Sequence, residues 1–197
     1  MPKHLPRTLF LIAACALSTG ARAHIGTDFG ARPEIGFTDG LLHSLTGMDH
    51  LTAMLVVGFW SALTARRQWT APLAFATMLL AGALMGVAGM KLPAVEPMIA
   101  ASVLALGLLL ALRNRLPAAL VAALIGVFAI FHGAAHGTEL AGAGTFWTPL
   151  AGMLLATGVL HATALGLGWA FRHTAWVPRV AGAGVSALGV TLLNQLS

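Results

Sequence analysis

Residues 116–137 read LPAALVAALIGVFAIFHGAAHG, a run of 22 positions without Asp, Glu, Lys or Arg. A helix needs about 20 predominantly apolar residues to cross the hydrocarbon core of a bilayer. The run opens directly after Arg113-Asn114-Arg115 and closes on His132, His136 and then Glu139. It therefore reads as one membrane span, basic at its start and rich in imidazole at its end. Similar runs recur along the chain, giving six apolar segments at about 41–64, 70–90, 94–112, 116–137, 146–171 and 175–196. Between them lie Arg66-Arg67, Lys91-Leu92-Pro93, Arg113-Asn114-Arg115, Glu139 to Thr145, and Arg172-His173. The expected fold is all-α: a polytopic membrane helix bundle of six transmembrane helices.

Composition agrees. Of 197 residues, 58% are hydrophobic and 9% charged, with a mean hydropathy of +0.86. Soluble domains carry roughly a quarter charged residues, so this chain cannot clothe a globular surface with polar groups. Its solvent is a lipid bilayer. The net charge of +5 invites a nucleic-acid reading, but the Arg residues stand singly or in pairs between apolar runs, with no basic stripe or aromatic platform. They are topogenic charges, and no nucleic-acid partner is expected.

The chain begins with a targeting segment. Lys3, His4 and Arg7 make a basic start, Thr8 to Thr19 a short apolar stretch, and Ala21-Arg22-Ala23 a small-x-small cleavage site. Residues 1–23 are thus expected as a signal peptide. They are followed by a six-span membrane domain, 24–197, with a polar periplasmic leader at 24–40. The single cysteine, Cys15, falls in the signal segment, where it loosely resembles a lipoprotein box. Cleavage after Ala23 leaves no thiol in the mature chain, hence neither a disulfide nor a thiolate metal site.

Charge sets the orientation. The loops after spans one, three and five hold Arg66 and Arg67, Arg113 and Arg115, and Arg172, whereas the other loops hold Lys91 with Glu96 and Glu139 nearby. The positive-inside rule places the odd loops in the cytoplasm of a bacterial inner membrane. The mature N-terminus and the C-terminus are then periplasmic, as a cleaved signal also requires. Small residues at Gly82 and Gly86, at Gly133 and Gly137, and at Gly182-Ala183-Gly184 mark faces where helices can approach closely.

Ionisable side chains inside spans are costly and usually functional. Span one carries His43, Asp49 and His50, and Met54 follows four residues on. On one helix, His43 and His50 share a face two turns apart, with Asp49 about a quarter turn away. Span four ends in His132 and His136, one turn apart, the spacing that lets two imidazoles hold one ion; Glu139 extends that face. With span one running inward and span four outward, both clusters fall at the same outer depth. Span five adds His161, roughly 20 Å below its start at the helical rise. His24, exposed as a new N-terminus, would offer an α-amine beside an imidazole, a chelating pair for nickel or copper. Imidazole and carboxylate suit Ni, Co, Zn, Fe or Cu, and spacing alone stops at "divalent transition metal".

The pattern His43-xxx-Gly47-x-Asp49-His50, with Phe131-His132-Gly133-x-Ala135-His136-Gly137-x-Glu139, resembles the signatures of the HupE/UreJ family of nickel permeases. One position departs: the family usually has Pro after the first His, and this chain has Ser44. The resemblance implies a non-enzymatic permease importing nickel, with cobalt in some members, for hydrogenase or urease maturation. It implies no prosthetic group, only a transported ion. A competing reading takes His132-xxx-His136 as the first box of a di-iron membrane enzyme, or as a haem-ligating pair. The further His-rich boxes are missing, and no His-Glu-x-x-His motif is present.

Overall fold

The computed structural model describes residues 35–64, 67–113, 116–141 and 145–196. The expected signal segment, His24, the leader up to Glu34, and both Arg66 and Arg115 lie outside them. The described residues form seven helices: α1 (Phe37–Thr46), α2 (Met48–Thr64), α3 (Thr70–Val87), α4 (Val95–Leu112), α5 (Ala118–Leu140), α6 (Trp147–Ala170) and α7 (Trp176–Asn194). Helices α3 to α7 are each long and apolar enough to cross a membrane. Their ends fall within three residues of those read from the sequence. Proline marks each start: Pro72, Pro97, Pro149 and Pro178 are third residues of their helices, and Pro117 directly precedes α5. The first turn tolerates proline because its N–H groups have no intrahelical acceptor there.

The first apolar segment departs from expectation. It is not one helix starting near 41 but two, and the first begins at Phe37 within the expected leader. Asp39 accounts for the early start, its Oδ2 accepting the Gly36 N–H at 2.8 Å and satisfying a donor that the helix leaves open. The break falls at Gly47, whose backbone is extended (φ −69°, ψ 107°). Its N–H closes α1 on the His43 carbonyl at 2.9 Å, and its own carbonyl accepts Leu51 N–H at 2.8 Å to open α2. Ser44 stays helical and buried. The bend therefore comes at Gly47, three residues beyond Ser44.

Helices pair tightly: α3 with α5, α4 with α7, and α6 with both α1 and α2. The small-residue faces of α3 and α5 turn out to be each other's partner. A Cβ at Gly82 would collide with the Ile130 carbonyl, one at Gly133 with the Leu79 carbonyl, and one at Gly137 with the Ala83 carbonyl. Glycine is required on both sides because the backbones touch, which is how helices gain contact where lipid offers no hydrophobic drive. This seam carries the stretch of α5 that bears His132 and His136. Gly40 and Gly152 do the same for α1 against α6, and Gly182 packs on Gly107 and Ala111.

The surface is apolar, and polar side chains are buried beside an apolar core. Large apolar side chains such as Leu73, Leu112, Leu120 and Val159 are exposed, while His43, Asp49, His50, Ser102, His132, His136 and His161 are buried. Exposed Trp69, Trp169 and Trp176 gather at the end of the bundle where α3 and α7 begin and α6 finishes. There Trp169 donates to Gln68 Oε1 at 3.1 Å and Arg172 stacks 5.5 Å from its ring. Aromatic rings with a polar edge belong at a membrane–water interface.

Candidate metal centre

The centre forms where the break in the first segment meets the last turns of α5. His43 lies in the final turn of α1, and Asp49 and His50 lie in the first turn of α2. A helix's C-terminal end carries partial negative charge, favourable to a cation beside His43. The positive start of α2 is met by Asp49, whose Oδ1 accepts the His50 backbone N–H at 2.9 Å. Discontinuous helices of this kind are where membrane transporters hold ions.

Two groups of three side chains converge. His43, His136 and Glu139 form one triad, and Asp49, His50 and His132 the other; within each, one ligand atom per residue lies within 4.8 Å of the others. Glu139 Oε2 is 3.5 Å from His136 Nδ1 and 3.7 Å from His43 Nε2. In the second triad, Asp49 Oδ1 is 3.3 Å from His50 Nδ1, and His50 Nε2 is 3.1 Å from His132 Nδ1. Ligands about 2.1 Å from a shared ion sit roughly 3–3.5 Å from one another, so the outer triad is near a binding geometry; the two short contacts of the inner triad use opposite nitrogens of His50, and its three ligand atoms gather within 4.8 Å. Each supplies two imidazoles and one carboxylate, a set that suits first-row divalent metals and leaves coordination positions open. The triads adjoin, since the His50 and His136 ring centroids are 4.1 Å apart.

They differ in access. The Glu139 side chain is 19% exposed, so its triad borders the protein surface. Asp49, His50 and His132 are each at most 1% exposed.

This grouping places His132 and His136, which their spacing alone would bring to one ion, in adjoining triads. One helical turn separates them by about 5.4 Å along α5. His132 meets His50 at the start of α2, whereas His136 lies against both half-helices, its ring 4.8 Å from His43 and 4.1 Å from His50. His43 and His50 are likewise divided between the triads, with ring centroids 6.4 Å apart. His161 joins neither. It is 1% exposed, its Nε2 has no hydrogen-bond partner among the described residues, and the Phe75 ring separates it from the inner triad. That ring lies 5.9 Å from His132 and 5.3 Å from His161. Met54 is buried in the apolar cluster with Ala53, Val57 and Phe75. His24 lies outside the described residues.

Sequence reasoning missed two residues at this centre. Ser102 of α4 places its hydroxyl 2.8 Å from His132 Nε2. Its signal was available, since it is the one hydroxyl residue in the apolar run from Ile99 to Leu112. Phe75 carried no signal, because nothing local distinguishes it from other apolar residues of α3.

A family model described as "HupE / UreJ protein" matches residues 12–192. The chain is also similar to Protein HupE of Rhizobium leguminosarum bv. viciae, at 39% identity over 185 residues, covering 92% of this chain and 94% of that protein. No solved structure matches it. Every residue of the two triads lies inside the matched range, and on the extent of both matches the chain belongs to the HupE/UreJ family.

Proposed function

We propose that this protein is an inner-membrane permease that carries a divalent transition-metal cation, nickel first and cobalt second, from periplasm to cytoplasm. The observation that carries the reading is the pair of adjoining His-His-carboxylate triads, one bordering the surface and one fully enclosed in an apolar bundle. A soluble metal store does not need an apolar exterior, and a packed bundle does not need six metal-ligating groups in its interior.

In this reading residues 1–23 are a cleaved signal, and α1 with α2 form one broken span, the first of six. Arg67, Arg113 and Arg172 mark the cytoplasmic side. Glu139 and His43 then face the periplasm, with His24 ahead of them as a first chelator. The ion loses part of its water on His43, His136 and Glu139. Dehydrating a divalent ion is very costly, so each lost water must be replaced by a strong donor. His50 adjoins His136 and lets the ion pass to Asp49, His50 and His132 without leaving imidazole. Rotation of the Phe75 ring would open the step to His161. An inside-negative potential favours the inward movement of a double charge by roughly 4–5 kcal/mol per 100 mV. Family resemblance connects the imported metal with hydrogenase or urease maturation.

The test is radiolabelled nickel uptake in cells lacking their own nickel transporters, with wild type, His50→Ala and His136→Ala compared at equal membrane abundance. Wild-type uptake above the empty vector, lost in both variants, is the expected result. Wild-type uptake at the vector level ends the transport reading. Undiminished uptake in both variants ends the ligand assignment.

A further inference from the structure

Ser102 has one proton and two neighbours, and its geometry decides which neighbour takes that proton. Its Oγ is 2.6 Å from the Ile99 carbonyl oxygen and 2.8 Å from His132 Nε2, and the residue is fully buried. A carbonyl has no proton to give, so an oxygen–oxygen contact of 2.6 Å requires the hydroxyl proton to lie on it. The hydroxyl can then only accept from His132. Nε2 must therefore carry the ring proton, which makes Nδ1 the acceptor nitrogen of the ring. That Nδ1 is the atom 3.1 Å from His50 Nε2.

With its own proton on Nε2, His132 accepts at Nδ1, and His50 Nε2 is the donor of the 3.1 Å hydrogen bond between the two rings. A metal ion that displaces that shared proton would meet a nitrogen lone pair on each ring.

We propose that Ser102 is a positioning residue for the inner triad, fixing His132 as the Nε2–H tautomer so that Nδ1 is presented to the ion. This rests on the metal-transport reading above, and it adds a residue from α4, a helix that supplies none of the six triad side chains. Partners that orient a ligating histidine typically contribute 10–100-fold in metal affinity.

The experiment uses the full chain in nanodiscs with ring-15N-histidine, comparing wild type, Ser102→Ala and Ser102→Thr. His132→Gln identifies the His132 resonances by difference. In chelator-treated wild type, the His132 Nε2 should resonate as a protonated, pyrrole-type nitrogen coupled to its own hydrogen. In Ser102→Ala that signature should give way to mixed tautomers. Nickel affinity by titration calorimetry should fall about tenfold or more in Ser102→Ala and recover in Ser102→Thr, which restores the hydroxyl. Wild-type affinity in Ser102→Ala, or an unprotonated Nε2 on His132 in the wild type, overturns the proposal. If the added methyl prevents Ser102→Thr from folding, the ring signature and the Ser102→Ala affinity decide it. A wild-type chain that binds no nickel removes the transport reading instead, and the ring signature alone then decides the role of Ser102.

Discussion

The two halves of the bundle are built to opposite rules. The half around Gly47 interrupts a helix and buries four histidines, Asp49 and Ser102 among one another. The other half continues the same helices but fills the space between them with Val57, Trp60, Leu106, Leu110, Val121 and Ile125. One half gathers imidazole and carboxylate groups, and the other is packed mainly with apolar side chains. On the proposed reading this difference separates binding from barrier, with the Phe75 ring beside His132 and the apolar cluster next to it. Against the other side of that ring lies the buried imidazole of His161. Transport therefore requires the apolar half to part, and the polar half sets which ions are present when it does.

This contrast can be broken at several points. The largest effect is expected from His50→Ala, which removes the ring that adjoins both triads; radiolabelled nickel uptake should drop to the vector level with membrane abundance unchanged. Next comes Gly133→Val. The new side chain would collide with the Leu79 backbone and force α3 from α5, moving His132 and His136 together. Overpacking a tight contact costs about 3 kcal/mol, so thermal unfolding in detergent should occur at lower temperature with nickel affinity also reduced. Glu139→Gln should be milder, because the inner triad keeps its own carboxylate. About a tenfold loss of nickel affinity, measured by titration calorimetry, corresponds to roughly 1.4 kcal/mol. The smallest effect belongs to the apolar half: Ile125→Val should cost about 1 kcal/mol of stability and leave nickel affinity at the wild-type value. A large loss of affinity in that variant would erase the division between the two halves.

Much of the architecture was legible along the chain. Helices α3 to α7 could be bounded to within three residues because apolar run length, proline and flanking charge are local properties. The broken segment was not legible in the same way. Gly47 is one of 23 glycines, and nothing in its neighbours along the chain marks it as the one with an extended backbone between two helices. Ser102 showed how a weak signal is overlooked, since one hydroxyl in an apolar helix usually bonds its own backbone. It does so here, to Ile99, and that bond is why its oxygen is left to accept from His132.

The amino-acid sequence by itself determined that this chain folds as apolar helices and that its few ionisable side chains inside them are His43, Asp49, His50, His132, His136 and His161, with Glu139 at the end of α5. It did so because placing such groups in hydrocarbon is too costly to be incidental. Only the tertiary structure decided their partners. Spacing along α5 put His132 and His136 together, and the contact with a helix broken at Gly47 put them in different triads. The physical reason is that helical periodicity governs which residues share a face, whereas ligand geometry depends on how two backbones approach. Part of that arrangement is the α3–α5 seam, whose glycines, about 50 residues apart in the chain, hold the stretch of α5 that bears both histidines.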